Sequence, residues 1–201
     1  MQELPDAPLA PTDGRTLRSL RTREAIVDAT ITLLEQGDLR PTAPRVAEQA
    51  GVSVRSIFQH FDDLETLHAA VAERLVERVS LLVFPVSPDL PLEERLDRFV
   101  RQRALLLETV TPIRRAAAVH GPFSAEITAR LRAGQAFLRS EVQRTFAPEL
   151  SAAGSERDDL LDALDAAFGW GVWDALRAGV GRDQEAAARV MRRLAAAALA
   201  S

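Results

Sequence analysis

The sequence predicts an all-α chain of about nine helices, with an N-terminal three-helix head, a linking helix and a helical C-terminal body. Three observations carry this reading. Apolar residues recur three and four positions apart along most of the chain. Caps and breakers, among them Gly37, Gly51, Pro85, Pro88, Ser124, Gly179 and Asp183, punctuate those stripes. No segment alternates apolar and polar residues with β-branched enrichment, so no sheet is expected.

Residues 1–14 hold three prolines and little periodicity, which predicts a disordered arm. Arg15, Arg18, Arg21 and Arg23 follow, either as a phosphate-touching entry or as a solvated basic helix start. The first helix is expected from Ser19 to Gln36, with Ile26, Ala29, Leu33 and Leu34 on one stripe and Gly37 just past its end.

Thr42 to Phe61, TAPRVAEQAGVSVRSIFQHF, organises the head. Thr42 is positioned to cap a short helix whose opening turn tolerates Pro44. Gly51 sits where the chain must turn sharply, and Ser53 caps a second short helix, Val54 to His60. Ile57, Phe58 and Phe61 are expected to bury against the first helix of the pair. Arg55, Ser56, Gln59 and His60 are then left for other faces. A buried face opposite a polar face on a short second helix is the plan of a helix-turn-helix DNA reader.

Beyond the motif, Asp62-x-x-Glu65 reads as a capping box. It opens a helix carrying Leu67, Val71, Leu75, Val79 and Leu82 that ends near Phe84. Asp89 is expected to cap a helix reaching about Thr109, with Arg103 inside its apolar stripe. Pro112 should then start a separate short helix, 112–119, broken at His120-Gly121-Pro122. Ser124 caps a helix to about Phe146, and Ser151 to Ser155 reads as a loop. Ser155-x-x-Asp158 opens a long helix to about Ala178, and Asp183 caps the last one. The expected partition is 1–14 arm, 15–62 head, 63–84 linking helix and 85–201 body.

Composition narrows the function. Cysteine is absent and the three histidines are scattered, so neither a thiolate site nor a metal centre is expected. No Ser–His–acid arrangement is visible, so the chain is not expected to be an enzyme, and no cofactor is implied. No long uncharged apolar run or signal pattern appears, which favours a cytoplasmic protein without a membrane partner. All 25 basic residues are Arg, as codon usage in a GC-rich genome would give, and the net charge is −4. Residues 15–60 carry seven Arg against five acids, a mildly basic segment on an acidic body, which suits local DNA contact.

Arg21 to Ser80 resembles the tetracycline-repressor (TetR) family of bacterial transcription regulators. The resemblance rests on Val46-Ala47, on Ala50-Gly51-Val52-Ser53, and on Phe58 placed three residues before Phe61, followed by DDLETL at 62–67. Family members usually carry Tyr where this chain has Phe58, so a hydroxyl contact is lost while core packing is expected to be kept. They often carry Lys where this chain has Leu64, which removes one phosphate contact and predicts a smaller salt slope.

The resemblance implies a homodimer reading a pseudo-palindromic double-stranded operator in successive major grooves, in a bacterial, nucleoid-associated setting. It implies a regulator, most simply a repressor, released by a small apolar or amphiphilic effector. An all-helical small-molecule-binding protein with weak or lost operator binding stays open as the alternative. Arg55 is the first candidate for base contact, since Arg reads guanine O6 and N7 well. Gln59 reads adenine or touches backbone. Ser53, as the cap, stands at the same helix start, and Val54 meets a thymine methyl or solvent there. Thr42, Ser56 and His60 are phosphate donors, and Arg45 meets phosphate or pairs with Glu48.

An effector site is expected among Phe99, Arg103, Leu106, Leu107, Ile113, Ala117, His120, Phe123, Phe137 and Trp170. Arg103 either binds an effector carboxylate or pairs with an internal acid. The dimer surface is expected on the last two helices, at Gly169, Gly171, Trp173, Ala187, Val190 and Leu194. The glycines and Ala-rich positions there permit close helix contact.

Overall fold

The computed structural model describes residues 14–121 and 124–200, apart from the side chains of Arg15 and His120. The expected arm at residues 1–13 and the effector candidate Phe123 lie outside the described residues. The described residues are helical and hold no strand. They divide into two compact units, residues 1–71 and 72–201, with the division inside one continuous helix.

In the first unit, α1 (Gly14–Glu35) packs on α2 (Ala43–Ala50) and α3 (Val54–His60). The first helix starts five residues earlier than Ser19, because its opening turns are exposed and lack the apolar stripe that marks the rest. Ile26, Ile31, Leu33, Val46, Ile57 and Phe61 form the buried centre, closed by Leu67, Ala70 and Val71 from the start of α4 (Leu64–Ser80). The Thr30 hydroxyl in this core donates back to the Ile26 carbonyl at 2.9 Å, so its burial leaves no open donor.

Two capping expectations shift. Thr42 has the extended backbone of an N-cap but makes no side-chain cap bond. Pro44 removes one of the two N–H groups that such a side chain can reach. At the next helix the cap is Asp63, one residue later than Asp62. Its Oδ1 accepts from the Thr66 amide at 2.7 Å and the Thr66 hydroxyl at 2.8 Å.

The second unit is built on α5 (Leu92–His120), which packs against α6 (Ala125–Thr145), α9 (Trp170–Asp174) and α10 (Gln184–Leu199). Helix α8 (Arg157–Ala167) packs on α6, α10 and the short α7 (Ala147–Ala152). Phe99, Phe146 and Phe168 meet at its centre. Phe99 lies edge-on to the other two, at centroid distances of 5.4 and 4.8 Å.

Pro112 lies inside α5 and does not end it. One intrahelical bond is lost there. Leu106, Leu107, Val110 and Ala116 on both sides of it are buried, so packing holds the helix together across the defect. The Ser87 hydroxyl and Asp89 engage each other in a turn, and the helix begins only at Leu92. The loop expected at 151–155 is in part helix α7, seated by the buried Leu150, followed by a 3₁₀ turn at Gly154–Glu156.

The long helix expected to reach Ala178 instead breaks at Gly169. Phe168 and Trp173 are both fully buried. Five residues apart on one straight helix they would point about 140° from each other. The break lets both enter the core. Gly169 fits because a Cβ there would stand 3.0 Å from the Asp165 carbonyl oxygen. A π-helical turn, Ala175–Gly179, follows α9. Ser124 and Asp183 cap α6 and α10, accepting from the amides of Ile127 and Ala186.

Candidate nucleic-acid interface

The turn between α2 and α3 is fixed by three local features. Gly51 has φ +67°, the left-handed conformation that an L side chain resists, and nothing stands near the place of its missing Cβ. The Val52 amide donates to the Ala47 carbonyl at 3.0 Å, closing the end of α2. Ser53 Oγ accepts from the Ser56 amide at 3.1 Å and starts α3.

Ile57 turns into the core from α3, with Phe61 just beyond its end. The opposite face is open. Val54, Arg55, Phe58 and Gln59 are exposed there, flanked by the half-buried Ser56 and His60. Phe58 was expected in the core, and this is corrected. It is 49% exposed, because one residue beyond Ile57 on a helix lies about 100° around it. The face therefore combines a cation, an amide and an aromatic ring, and no acid.

Thr42 and Ser53 are exposed beside this face. Arg45 is also exposed, and its partner is Asp38 at 3.1 Å rather than Glu48. Asp38 holds the link before α2, where its other oxygen accepts from the Arg40 amide at 3.2 Å. One guanidinium thus ties the link to α2 while keeping 60% of its side chain accessible.

The expected effector residues are not gathered in one place. Phe99, Leu106 and Leu107 are packed core residues, with Phe99 occupied by Phe146 and Phe168. Phe137 is an exposed residue of α6, whose buried side is carried by Leu138 and Val142. Ile113 and Ala117 are half-buried. Arg103 is almost wholly buried. Its Nη2 donates to the Leu138 carbonyl at 3.0 Å, and its guanidinium lies over the Phe99 ring at 4.8 Å. Burial draws its pKa down to about 10, and the charges of Asp165 and Glu141 oppose that drop. Its hydrogen bond thus goes to a backbone carbonyl, and Asp165 and Glu141 act on it through their charge rather than as a salt-bridge partner.

Trp170 sits where the later turns of α5 meet α9. Its Nε1 donates to Thr111 Oγ1 at 3.2 Å, and that hydroxyl donates on to the Leu107 carbonyl. Arg114 lies over its ring at 5.1 Å. Neither Thr111 nor Arg114 stands out in the sequence as a site residue. The available signal was the absence of any acid within one helical turn of Arg114.

Three dimer-surface expectations are corrected. Trp173 and Ala187 are fully buried inside their own chain and cannot present a surface to a second copy. Gly169 is a turn residue, not a helix-contact residue. Gly171 and Leu194 are exposed and Val190 is half-buried. Arg182, Ala186, Arg189, Val190 and Arg193 line a groove of about 310 Å³ along α10.

Among the described residues no helix is long and apolar enough to cross a membrane, and no group of acids and histidines could hold a metal ion.

The glycine-turned, Ser-capped pair α2 and α3 has the plan of a helix-turn-helix DNA-binding head, in a chain whose second unit is all-helical among the described residues. Residues 26–71 match the model for bacterial regulatory proteins of the tetR family. No curated protein matches it.

Three solved structures share the fold. One, described as a TetR-family transcriptional regulator from Mesorhizobium loti MAFF303099, is 18% identical with a TM-score of 0.60, over 91% of this chain and 97% of that one. A TetR-like transcriptional regulator from Rhodococcus sp. RHA1 is 20% identical with a TM-score of 0.59, over 98% and 100%. A second transcriptional regulator from the same Rhodococcus is 16% identical with a TM-score of 0.57, over 90% and 96%.

Proposed function

We propose that the chain is a ligand-responsive repressor that binds a pseudo-palindromic operator as a homodimer. The exposed face of α3 is the single observation that carries the DNA-reading part. Arg55 is placed to fork onto guanine, and Gln59 to meet adenine or the backbone. Phe58 and Val54 offer apolar surface for thymine methyl groups. Thr42, Arg45, Ser53, Ser56 and His60 flank them and suit phosphate contact.

The open faces of α8 and α10 support self-association. Asp159, Ala163 and Ala166 are exposed on α8, and Arg189 and Arg193 are exposed beside Val190 on α10. Small residues allow close approach, and opposite charges on neighbouring helices suit a two-fold contact. Effector release is assigned to the second unit.

A reporter gene placed behind the DNA flanking this protein's own gene tests the repressor role. Supplying the protein should lower expression. Raised or unchanged expression would contradict repression.

A further inference from the structure

Three other arginines of α5 are buried or half-buried, and each has an acid at hand. Arg95 pairs with Glu149, Arg115 donates to Asp174 at 2.7 Å, and Arg103 feels Asp165 and Glu141. Arg114 differs. It is half-buried, and no carboxylate partners it among the described residues. Its Nε is sealed from solvent with no acceptor. Residues 110, 111, 117 and 118, the positions one turn away on either side, are Val, Thr, Ala and Ala. Burial alone acts on this guanidinium and lowers its pKa. A cation withdrawn from water without a counter-charge is costly to maintain.

The surroundings complete the pattern. The guanidinium rests on the Trp170 ring, an apolar face that tolerates a cation. The Trp170 indole is held in place by Thr111. One turn along α9, Trp173 Nε1 is a second buried donor without an acceptor. The helix bearing both rings is five residues long, set between the Gly169 break and the π-helical turn. Such turns recur at functional sites. A cation lacking its anion beside an aromatic plane has the chemistry of a carboxylate clamp with an apolar wall.

We propose that Arg114 and Trp170 form the anchor of a binding site for an organic monocarboxylate with an apolar or aromatic body. The carboxylate supplies the charge that Arg114 lacks, and the body lies against Trp170. This rests on the reading of the second unit as the effector-binding one and names the effector's class.

The chain contains only two tryptophans, Trp170 and Trp173, so its intrinsic fluorescence reports this site directly. Octanoate, decanoate and phenylacetate are titrated into the full-length protein, with 1-decanol as the uncharged comparison. At least one acid should give a saturable change at or below millimolar concentration. Arg114→Gln should weaken that acid roughly 10–100-fold, the range of a lost charge-assisted hydrogen bond, and leave 1-decanol unaffected. Arg114→Lys should restore part of the loss. Arg114→Gln should melt no earlier than the parent, since it removes an uncompensated charge, and this separates lost binding from lost folding.

No saturable change with any of the three acids overturns the site. Equal binding of acid and alcohol, indifferent to Arg114→Gln, overturns the anionic anchor and leaves a ligand sensor standing. Arg114-dependent acid binding that never alters operator affinity upholds the anchor and contradicts the sensor reading instead.

Discussion

The Arg23 guanidinium of α1 lies over the Phe61 ring at 4.9 Å from its centroid, and Phe61 is buried at the end of α3. The contact fastens the exit of α3 to α1. Phe61→Ala should cost about 3–5 kcal/mol, the range for an emptied aromatic core site. Arg23→Ala should cost only about 0.5–1 kcal/mol, because one face of the pair stays wet. Urea unfolding followed by far-UV circular dichroism checks both. A Phe61→Ala loss near 1 kcal/mol would contradict the assigned packing.

Ile57 and Phe58 are neighbours with opposite roles. Ile57→Ala should destabilise by about 2–5 kcal/mol. Phe58→Ala should stay within about 0.5 kcal/mol of the parent, as an exposed substitution does, yet weaken operator binding. Paired denaturation and DNA-binding curves separate the two. Equal destabilisation would place Phe58 back in the core.

The helix starts give a third test. Ser53→Ala should cost about 1 kcal/mol, whereas Thr42→Ala should be near neutral, because only Ser53 makes its cap bond. Asp63→Ala should destabilise and Asp62→Ala should not. The Thr66 amide and hydroxyl hold the Asp63 carboxyl below its ordinary value of 3.8. A depressed folded-state pKa gives a contribution that is full above 3.8 and lost as pH falls through the lower folded value. Acid titration of stability in the parent and in Asp63→Ala should therefore converge at low pH.

Arg95 gives a fourth. It is buried, and it donates to the Leu90 and Thr145 carbonyls at 2.8 Å each and to both Glu149 oxygens. Arg95→Met should cost about 3–5 kcal/mol, since it strands a carboxylate and two carbonyls. Burial pushes the Glu149 pKa up, but the Arg95 hydrogen bond, the bond from Glu149's own backbone and the Arg95 charge together outweigh it and hold the value below 4.5. The parent should thus lose this contribution as pH falls through the depressed value. In Arg95→Met burial is opposed only by the hydrogen bond from Glu149's own backbone, so this acid-dependent loss should shrink.

The head was legible because its signals are local. Gly51 and Ser53 act on their own turns, and the Ile57 and Phe61 positions follow from helix periodicity. Phe58 was misplaced because one residue's step on a seven-residue helix separates core from solvent, and hydrophobicity does not resolve it. The second unit was harder to read for a different reason. Pro112 reads as a stop, but core residues on both sides of it hold α5 together. Gly169 reads as a helix-contact residue, but it breaks the chain so that Phe168 and Trp173 both bury. Those outcomes depend on partners tens of residues away. Arg114 was within reach of the sequence, through the missing acids around it.

The central claim is that α3 reads DNA, and the most direct measurement is operator affinity with and without Arg55. Fluorescence anisotropy on the DNA flanking this protein's own gene, at fixed salt and with the oligomeric state checked by sedimentation, should show specific binding. Arg55→Ala should cost about 1–3 kcal/mol per site and relax the preference at the contacted base, with association unchanged. Specific binding that Arg55→Ala leaves intact, or no specific binding by a properly associated protein, would contradict the claim.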